Sequence, residues 1–329
     1  MDIQTELYDP LLHDVALPLT GTFYALGFRV EIATNSPAVL EAARESWGMY
    51  GPEFPSQPVE LHIVVRPGGP APEPVVRTQR HYFSIVSDRD NFAAYASDTF
   101  FGYAFVTEQT VADRRWFRFH YLETMAYMLL AQRYVMPVHA ACVAWQQTGV
   151  LLYGLSGAGK STLAWACARA GWTYITDDGT WLLPEVEDGT VLGQCRQIRF
   201  KPDAVGLFPE LEEHASRLRP NGKVSLEVPL AAFPRIHTAS RCRIGCVVVL
   251  HRTNGAEARA ESIPAAEVAG RLLGDMPRYG EDVRARYEVV VGRLLRAPCY
   301  RLTYHNLDDA VRVLSELAGG PVASITKHF

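Results

Sequence analysis

The chain has 329 residues, enough for two modest domains or one large one with an appendage. Its 48% apolar and 21% charged content is that of an ordinary globular protein. The net charge of −4 supplies no basic field, which excludes a general nucleic-acid binder, and no apolar run is long enough for a membrane span.

In chain order, residues 1–20 are a polar lead. Met1-Asp2-Ile3-Gln4-Thr5-Glu6 has neither a basic n-region nor an apolar h-region, so no signal peptide is expected and the chain reads as cytoplasmic. Residues 21–32 alternate as one or two strands. Ser36-Pro37 opens a helix with an N-cap and a proline at the first position, and that helix runs to Trp47 and stops at Gly48. Val59, Leu61, Ile63 and Val65 mark a half-buried strand. The proline-rich stretch 67–74 is a loop, followed by strand-like runs near 75–86, 92–96 and 99–107. Together these give an α+β N-terminal domain, assigned to residues 1–112, ahead of a second domain at 113–329.

The second domain opens with a long amphipathic helix over 116–134, its Met125, Met128, Leu129 and Leu130 reading as core. A strand at 137–143 carries His139. A further strand, Gly149-Val150-Leu151-Leu152-Tyr153, leads into Gly154-Leu155-Ser156-Gly157-Ala158-Gly159-Lys160-Ser161. This is a full match to G-x-x-x-x-G-K-[ST] between a strand and a helix that closes at Gly171. The glycines let backbone N–H groups turn around an anion. The helix N-terminus adds free N–H groups and a positive dipole end. Lys160 can reach the β- and γ-phosphates and the Ser161 hydroxyl can ligate Mg²⁺. A nucleoside tri- or diphosphate site is expected, with ATP as the leading candidate. Its contacts are Gly154, Ser156, Gly157, Ala158, Gly159, Lys160, Ser161 and Thr162. The chain holds four lysines, Lys160, Lys201, Lys223 and Lys327; lysine is kept in the loop where arginine is preferred elsewhere.

A strand at 172–176 ends in Asp177-Asp178. A phosphate loop needs an acid for Mg²⁺ near such a strand end, and adjacent acids on extended chain point to opposite sides. One could face metal and phosphate while the other faces a substrate hydroxyl or an arginine. Asp-Asp-Gly is also ordinary turn chemistry. Further strands are expected at 181–186, 196–201, 224–228 and 244–250. Residues 264–317 read as mostly helical around a strand at 300–303. Six cysteines form no C-x-x-C pair, and Cys242 and Cys246 lack nearby His partners for zinc, so buried free thiols are expected.

His139-Ala140-Ala141, the Ser156-containing glycine loop, a helix ending in Gly171, and Asp177-Asp178 resemble the catalytic domain of the HPr kinase/phosphorylase family. The chain is similar in particular to HPr-kinase-like proteins of peptide-modification clusters, including kinases of lasso-peptide precursors. The resemblance spans roughly residues 115–317. It implies an α/β fold with a P-loop kinase domain of HPr kinase/phosphoenolpyruvate carboxykinase type. It implies an ATP- and Mg²⁺-dependent phosphotransferase acting on a hydroxyl, a serine of a peptide or small protein. Lys160 would handle phosphate, Ser161 and Asp178 would hold Mg²⁺, one of Asp177 and Asp178 would be the base, and His139 would support that carboxylate. The family signature Glu-Ile-Arg-Gly has its nearest counterpart in Gln197-Ile198-Arg199-Phe200, which puts a neutral Gln197 where a metal-supporting Glu stands. Lys223 is either a residue that closes over phosphates or a surface lysine. A small-molecule kinase and a nucleotide-binding regulator without turnover are the competing readings. No Asn-Lys-x-Asp or Leu-Ser-Gly-Gly-Gln motif points to other phosphate-loop classes. No nucleic-acid or membrane partner is expected, and a homo-oligomer stays open.

Overall fold

A computed structural model describes residues 15–220, 222–255, 257–276 and 280–319. Most of the polar lead therefore lies outside the described residues. The chain divides into two compact units, Met1–Leu130 and Ala131–Phe329.

The first unit is one seven-stranded sheet with helices. Its strands are β1 (Leu19–Ala25) and β2 (Phe28–Thr34), then, after helix α1 (Pro37–Trp47), β3 (Val59–Arg66), β4 (Val75–Gln79), β5 (Tyr82–Val86), β6 (Phe92–Ala96) and β7 (Phe101–Thr107). The sheet order is β1-β2-β3-β7-β6-β5-β4. The expected strand region 21–32 is a hairpin. Ala25 pairs with Phe28 across a two-residue turn, Leu26-Gly27, in which both residues have positive φ. Helix α1 starts at Pro37 behind an extended Ser36, as its sequence predicts. Val39, Ala42, Ala43, Ser46 and Trp47 form its buried stripe.

The long helix expected over 116–134 is present as one helical run from Arg114 to Ala131, made of α3 (Arg114–Phe117), a π turn at Arg118–Leu122 and α4 (Glu123–Ala131), with a short helix α2 (Glu108–Ala112) ahead of it. Local caps set the two starts: Thr107 accepts from the Thr110 N–H and Asp113 from the Trp116 N–H. These segments lie in the first compact unit, up to its end at Leu130. Glu123 accepts a 2.7 Å hydrogen bond from Ser46, and Trp47 donates one of 3.1 Å to Tyr127.

The second unit is built on a nine-stranded mixed sheet. Its strands are β8 (Met136–Val138), β9 (Ala140–Trp145), β10 (Thr148–Tyr153), β11 (Thr173–Thr176), β12 (Thr180–Leu182) and β13 (Thr190–Gly193), with β17 (Arg241–Arg252), β18 (Arg259–Ser262) and β19 (Cys299–Tyr304). A separate small sheet holds β14 (Gln197–Phe200), β15 (Ser216–Leu218) and β16 (Val224–Pro229) in the order β14-β16-β15. Helix α5 (Lys160–Arg169) follows β10. Helices α6 (Ala265–Gly274), α7 (Glu281–Leu294) and α8 (Leu307–Leu317) follow later. Two apolar clusters line the sheet. One joins Val150 and Leu152 to α5, α8 and the small sheet. The other joins Leu151 and Val249 to α6 and α7. The arrangement is mixed α/β with helices on both faces of the sheet. Strands β13, β15 and β18 are too short and too polar to be read from periodicity.

All six cysteines are unbonded, and burial pushes the Cys246 thiol up to about 12, so that thiol stays protonated. Among the described residues no helix is long and apolar enough to cross a membrane.

Candidate active site

Strand β10 is buried from Gly149 to Tyr153, between antiparallel β9 and parallel β17. Strands β10, β17 and β19 run parallel and end at Tyr153, Arg252 and Tyr304. The C-terminal edge of parallel strands is where α/β sheets bind ligands. The glycine loop leaves β10 at that edge.

The sequence permits this loop and little else would. A Cβ on Gly154 would lie 2.8 Å from the Ala158 Cβ. Gly157 and Gly159 have φ of +88° and +92°, in the left-handed region. A Cβ on Gly159 would also lie 2.5 Å from the Tyr304 Oη. That hydroxyl, at the end of β19, donates a 3.0 Å hydrogen bond to the Ala158 carbonyl and pins the loop. Leu155, Ser156 and Gly157 stay exposed.

Gly159 is the N-cap of α5, and no side chain caps it. No acidic residue occupies the first turn, so the N–H groups of Lys160, Ser161 and Thr162 face an end with no built-in counter-charge. Ser161 and Thr162 are half-buried. Lys160 is 7% exposed, and its Nζ donates a 2.7 Å hydrogen bond to the Gly154 carbonyl. Burial lowers its pKa, against the charges of Asp178, Asp275 and Asp177, which favour the ammonium.

Asp177 and Asp178 follow β11, and their environments diverge. Asp177 is buried, and both its oxygens are taken. Oδ1 accepts from Tyr174 Oη at 2.9 Å and Oδ2 from the Arg199 N–H at 3.0 Å. Burial raises its pKa, opposed by the charge of Arg199 and that hydrogen bond. Asp178 is 42% exposed and pairs with His139, Nδ1 to Oδ1 at 3.0 Å. That hydrogen bond is the main cause of its lowered pKa. The pairing follows from register. Thr180 stands opposite Val138 in the β12–β8 pair, and the Thr180 hydroxyl donates to the Ala140 carbonyl at 2.9 Å. His139, at the break between β8 and β9, is thereby held beside the turn that carries Asp178.

Gln197 opens β14, and with its amide oriented to place oxygen toward the guanidinium it accepts from Arg199 Nε at 3.1 Å. Arg199 Nε also lies 3.4 Å from Glu227 Oε1, opposite it on β16. Lys223 is exposed in the turn between β15 and β16, and its carbonyl accepts from the Arg219 N–H at 2.9 Å.

Sequence reasoning missed several neighbours. Tyr304 and Asp275, the latter accepting from Tyr153 Oη, come from strand and helix ends more than 100 residues away. Arg219, half-buried, feels the charges of Asp178, Glu227 and Asp177. Lys201 directly follows β14, with its Nζ 3.8 Å from where a Gly157 Cβ would stand. A cavity of about 600 Å³ at the other end of β10 and β17, beside Thr148, Arg243 and Arg296, shares no residue with this site.

No family model matches the chain, and no curated protein matches it. Among solved structures it is similar to the Hpr(Ser) kinase/phosphatase from Coxiella burnetii. That match covers 52% of this chain and 86% of the other at 14% identity, with a TM-score of 0.26.

Proposed function

We propose that the second unit is an ATP- and Mg²⁺-dependent phosphotransferase that phosphorylates a hydroxyl, a serine of a peptide or small protein. One observation carries the reading: the Lys160 ammonium and the uncapped N-terminus of α5 meet the Asp178–His139 pair at one edge of the sheet. The buried ammonium fits a polyphosphate, whose charge would offset the desolvation that lowers its pKa. Among the described residues no three His, Cys, Asp or Glu side chains form a ready-made metal cluster. Mg²⁺ is commonly held by one or two protein oxygens together with substrate phosphates, and Ser161 Oγ is the candidate for such a place that leaves Asp178 Oδ2 open. Bound there, Mg²⁺ would supply charge neutralisation to the terminal phosphates.

The chain's own residues then have distinct tasks. Lys160 and the loop N–H groups fix the phosphates in place. Asp178, kept ionised by His139, has its Oδ2 open to take the proton of an acceptor hydroxyl. The hydroxyl oxygen bonds to the terminal phosphorus as the bond to the leaving diphosphate breaks. Asp177, with both oxygens engaged, holds β11 against β14. Most of the catalysis is positioning and charge.

The test is incubation of the protein with ATP, MgCl₂ and candidate serine peptides, read by mass spectrometry as a gain of one phosphoryl group. Lys160→Ala should abolish the gain, weaken ATP binding and leave the circular dichroism unchanged. Wild-type-like ATP affinity in Lys160→Ala, or transfer that persists in EDTA, overturns the reading. Nucleotide binding with no transfer to any peptide or small-molecule hydroxyl favours the regulator.

A further inference from the structure

Two lysines converge on the glycine loop, and only one of them is in its motif. Lys201 leaves β14 between buried Phe200 and Pro202, the first residue of a 3₁₀ turn at Pro202–Gly206. Its backbone is fixed on both sides. Phe200 packs against Trp165 of α5 with ring centroids 5.9 Å apart, and the Lys201 carbonyl accepts from the Ala204 N–H at 3.0 Å. The helix that starts at the loop therefore also anchors the strand that delivers Lys201. From this base the side chain reaches back to Gly157, where Nζ stands 3.8 Å from the position of a Cβ. The residue is exposed, and its ammonium has no hydrogen bond or ion pair among the described residues.

The contrast with Lys160 is informative. Lys160 is tied to the Gly154 carbonyl beneath the loop. Lys201 stands on the open side, beside the exposed Ser156-Gly157 tip. Of 32 basic residues in the chain four are lysines, and these two flank one loop. A compact ammonium with three rotatable donors suits crowded phosphate oxygens better than a planar guanidinium.

We propose that Lys201 is a second phosphate-binding lysine of this site, one that contacts the terminal phosphate and so selects a nucleoside triphosphate over a diphosphate. The proposal rests on the nucleotide-binding reading above. In that reading Lys160 and α5 hold the phosphates from beneath the loop, and Lys201 adds a contact to the outermost one from across it.

The experiment is calorimetric titration of wild type, Lys201→Ala, Lys201→Arg and Lys160→Ala with a non-hydrolysable ATP analogue and with ADP, each with Mg²⁺. A lost charge-assisted contact of about 1.5–3 kcal/mol corresponds to roughly 10–100-fold in affinity. Lys201→Ala should lose that factor for the triphosphate analogue and little for ADP. Lys201→Arg should recover part of it, and Lys160→Ala should weaken both ligands. Equal loss for both ligands in Lys201→Ala, or no loss for either, overturns the proposal while the site reading stands on the Lys160→Ala arm. A wild type that binds neither ligand overturns both. Unchanged thermal unfolding of Lys201→Ala, expected of an exposed side chain, confirms that its loss is one of contact.

Discussion

Gly157 and Gly159 allow the loop geometry to be tested without knowing any ligand. Both hold φ near +90°, so alanine at either position pays the left-handed penalty of about 1–2 kcal/mol. They differ in space. Around Gly157 a new Cβ meets one atom within 4 Å, the flexible Lys201 Nζ at 3.8 Å. At Gly159 it meets the Tyr304 Oη at 2.5 Å, on a ring that is 1% exposed and cannot swing away. Overpacking of that kind adds about 1–3 kcal/mol. Gly157→Ala should therefore cost about 1–2 kcal/mol and Gly159→Ala about 2–5 kcal/mol. Tyr304→Phe removes the hydrogen bond to the Ala158 carbonyl and should cost about 1 kcal/mol. In the double variant Gly159→Ala/Tyr304→Phe the colliding oxygen is gone. Its cost should fall below the sum of the single costs by about 1–3 kcal/mol. The assay is urea unfolding by circular dichroism, with the second unit fitted as its own transition. Additive costs in the double variant, or equal costs for the two glycines, refute the assigned loop geometry.

The two acids should separate in mutagenesis. Asp178→Asn should lower transfer by about 10²–10⁴-fold with nucleotide binding retained, whereas Asp177→Asn should mainly alter stability; the reverse order in turnover would assign the base to Asp177. The stability effect has a sign. The folded pKa of Asp177 is raised, so the stability its protonated form contributes is present below the ordinary carboxylate pKa and is lost as pH rises through the folded value. Asp177→Asn should thus gain in melting temperature relative to wild type as pH rises above the ordinary carboxylate range, and a difference that stays constant as pH rises would show that burial does not set this titration. At Gln197 a neutral amide turned toward Arg199 stands where the resembled family has a metal-supporting acid. A one-way kinase is expected, and rapid release of pyrophosphate and free hydroxyl product from phosphoproduct, Mg²⁺ and excess phosphate would contradict it.

Local chemistry made much of the fold readable. The Ser36-Pro37 start, the alternation through β3, and the strand–loop–helix around Gly154 to Ser161 all carry their signals within a few residues. The helix expected over 116–134 is legible from its apolar spacing, which the π turn at Arg118–Leu122 does not interrupt; the short helix α2 ahead of it, set off by the caps Thr107 and Asp113, carries too few residues to show a period. The site divides along the same line. His139, Lys160, Asp177 and Asp178 sit at strand ends or in a motif. Tyr304, Asp275 and Lys201 reach the loop only through the register of β19, the end of α6 and the anchoring of β14. No single stretch of sequence encodes those approaches.

The Asp177-Asp178 pair shows why the remaining step needs three dimensions. In sequence the two acids are equivalent, and extended geometry says only that they diverge. What separates them is the partner on each side. Inward, β14 presents the Arg199 N–H and β11 presents Tyr174, two donors that fill the oxygens of a buried carboxylate. Outward, the break between β8 and β9 leaves His139 without a ladder partner, free to meet Asp178. The inward acid is held above the usual range by burial and the outward one below it by its imidazole. Divergent environments on adjacent titratable groups divide structural from chemical work. That division, rather than the presence of two acids, is why Asp178, with one oxygen open, is the acid proposed as the base.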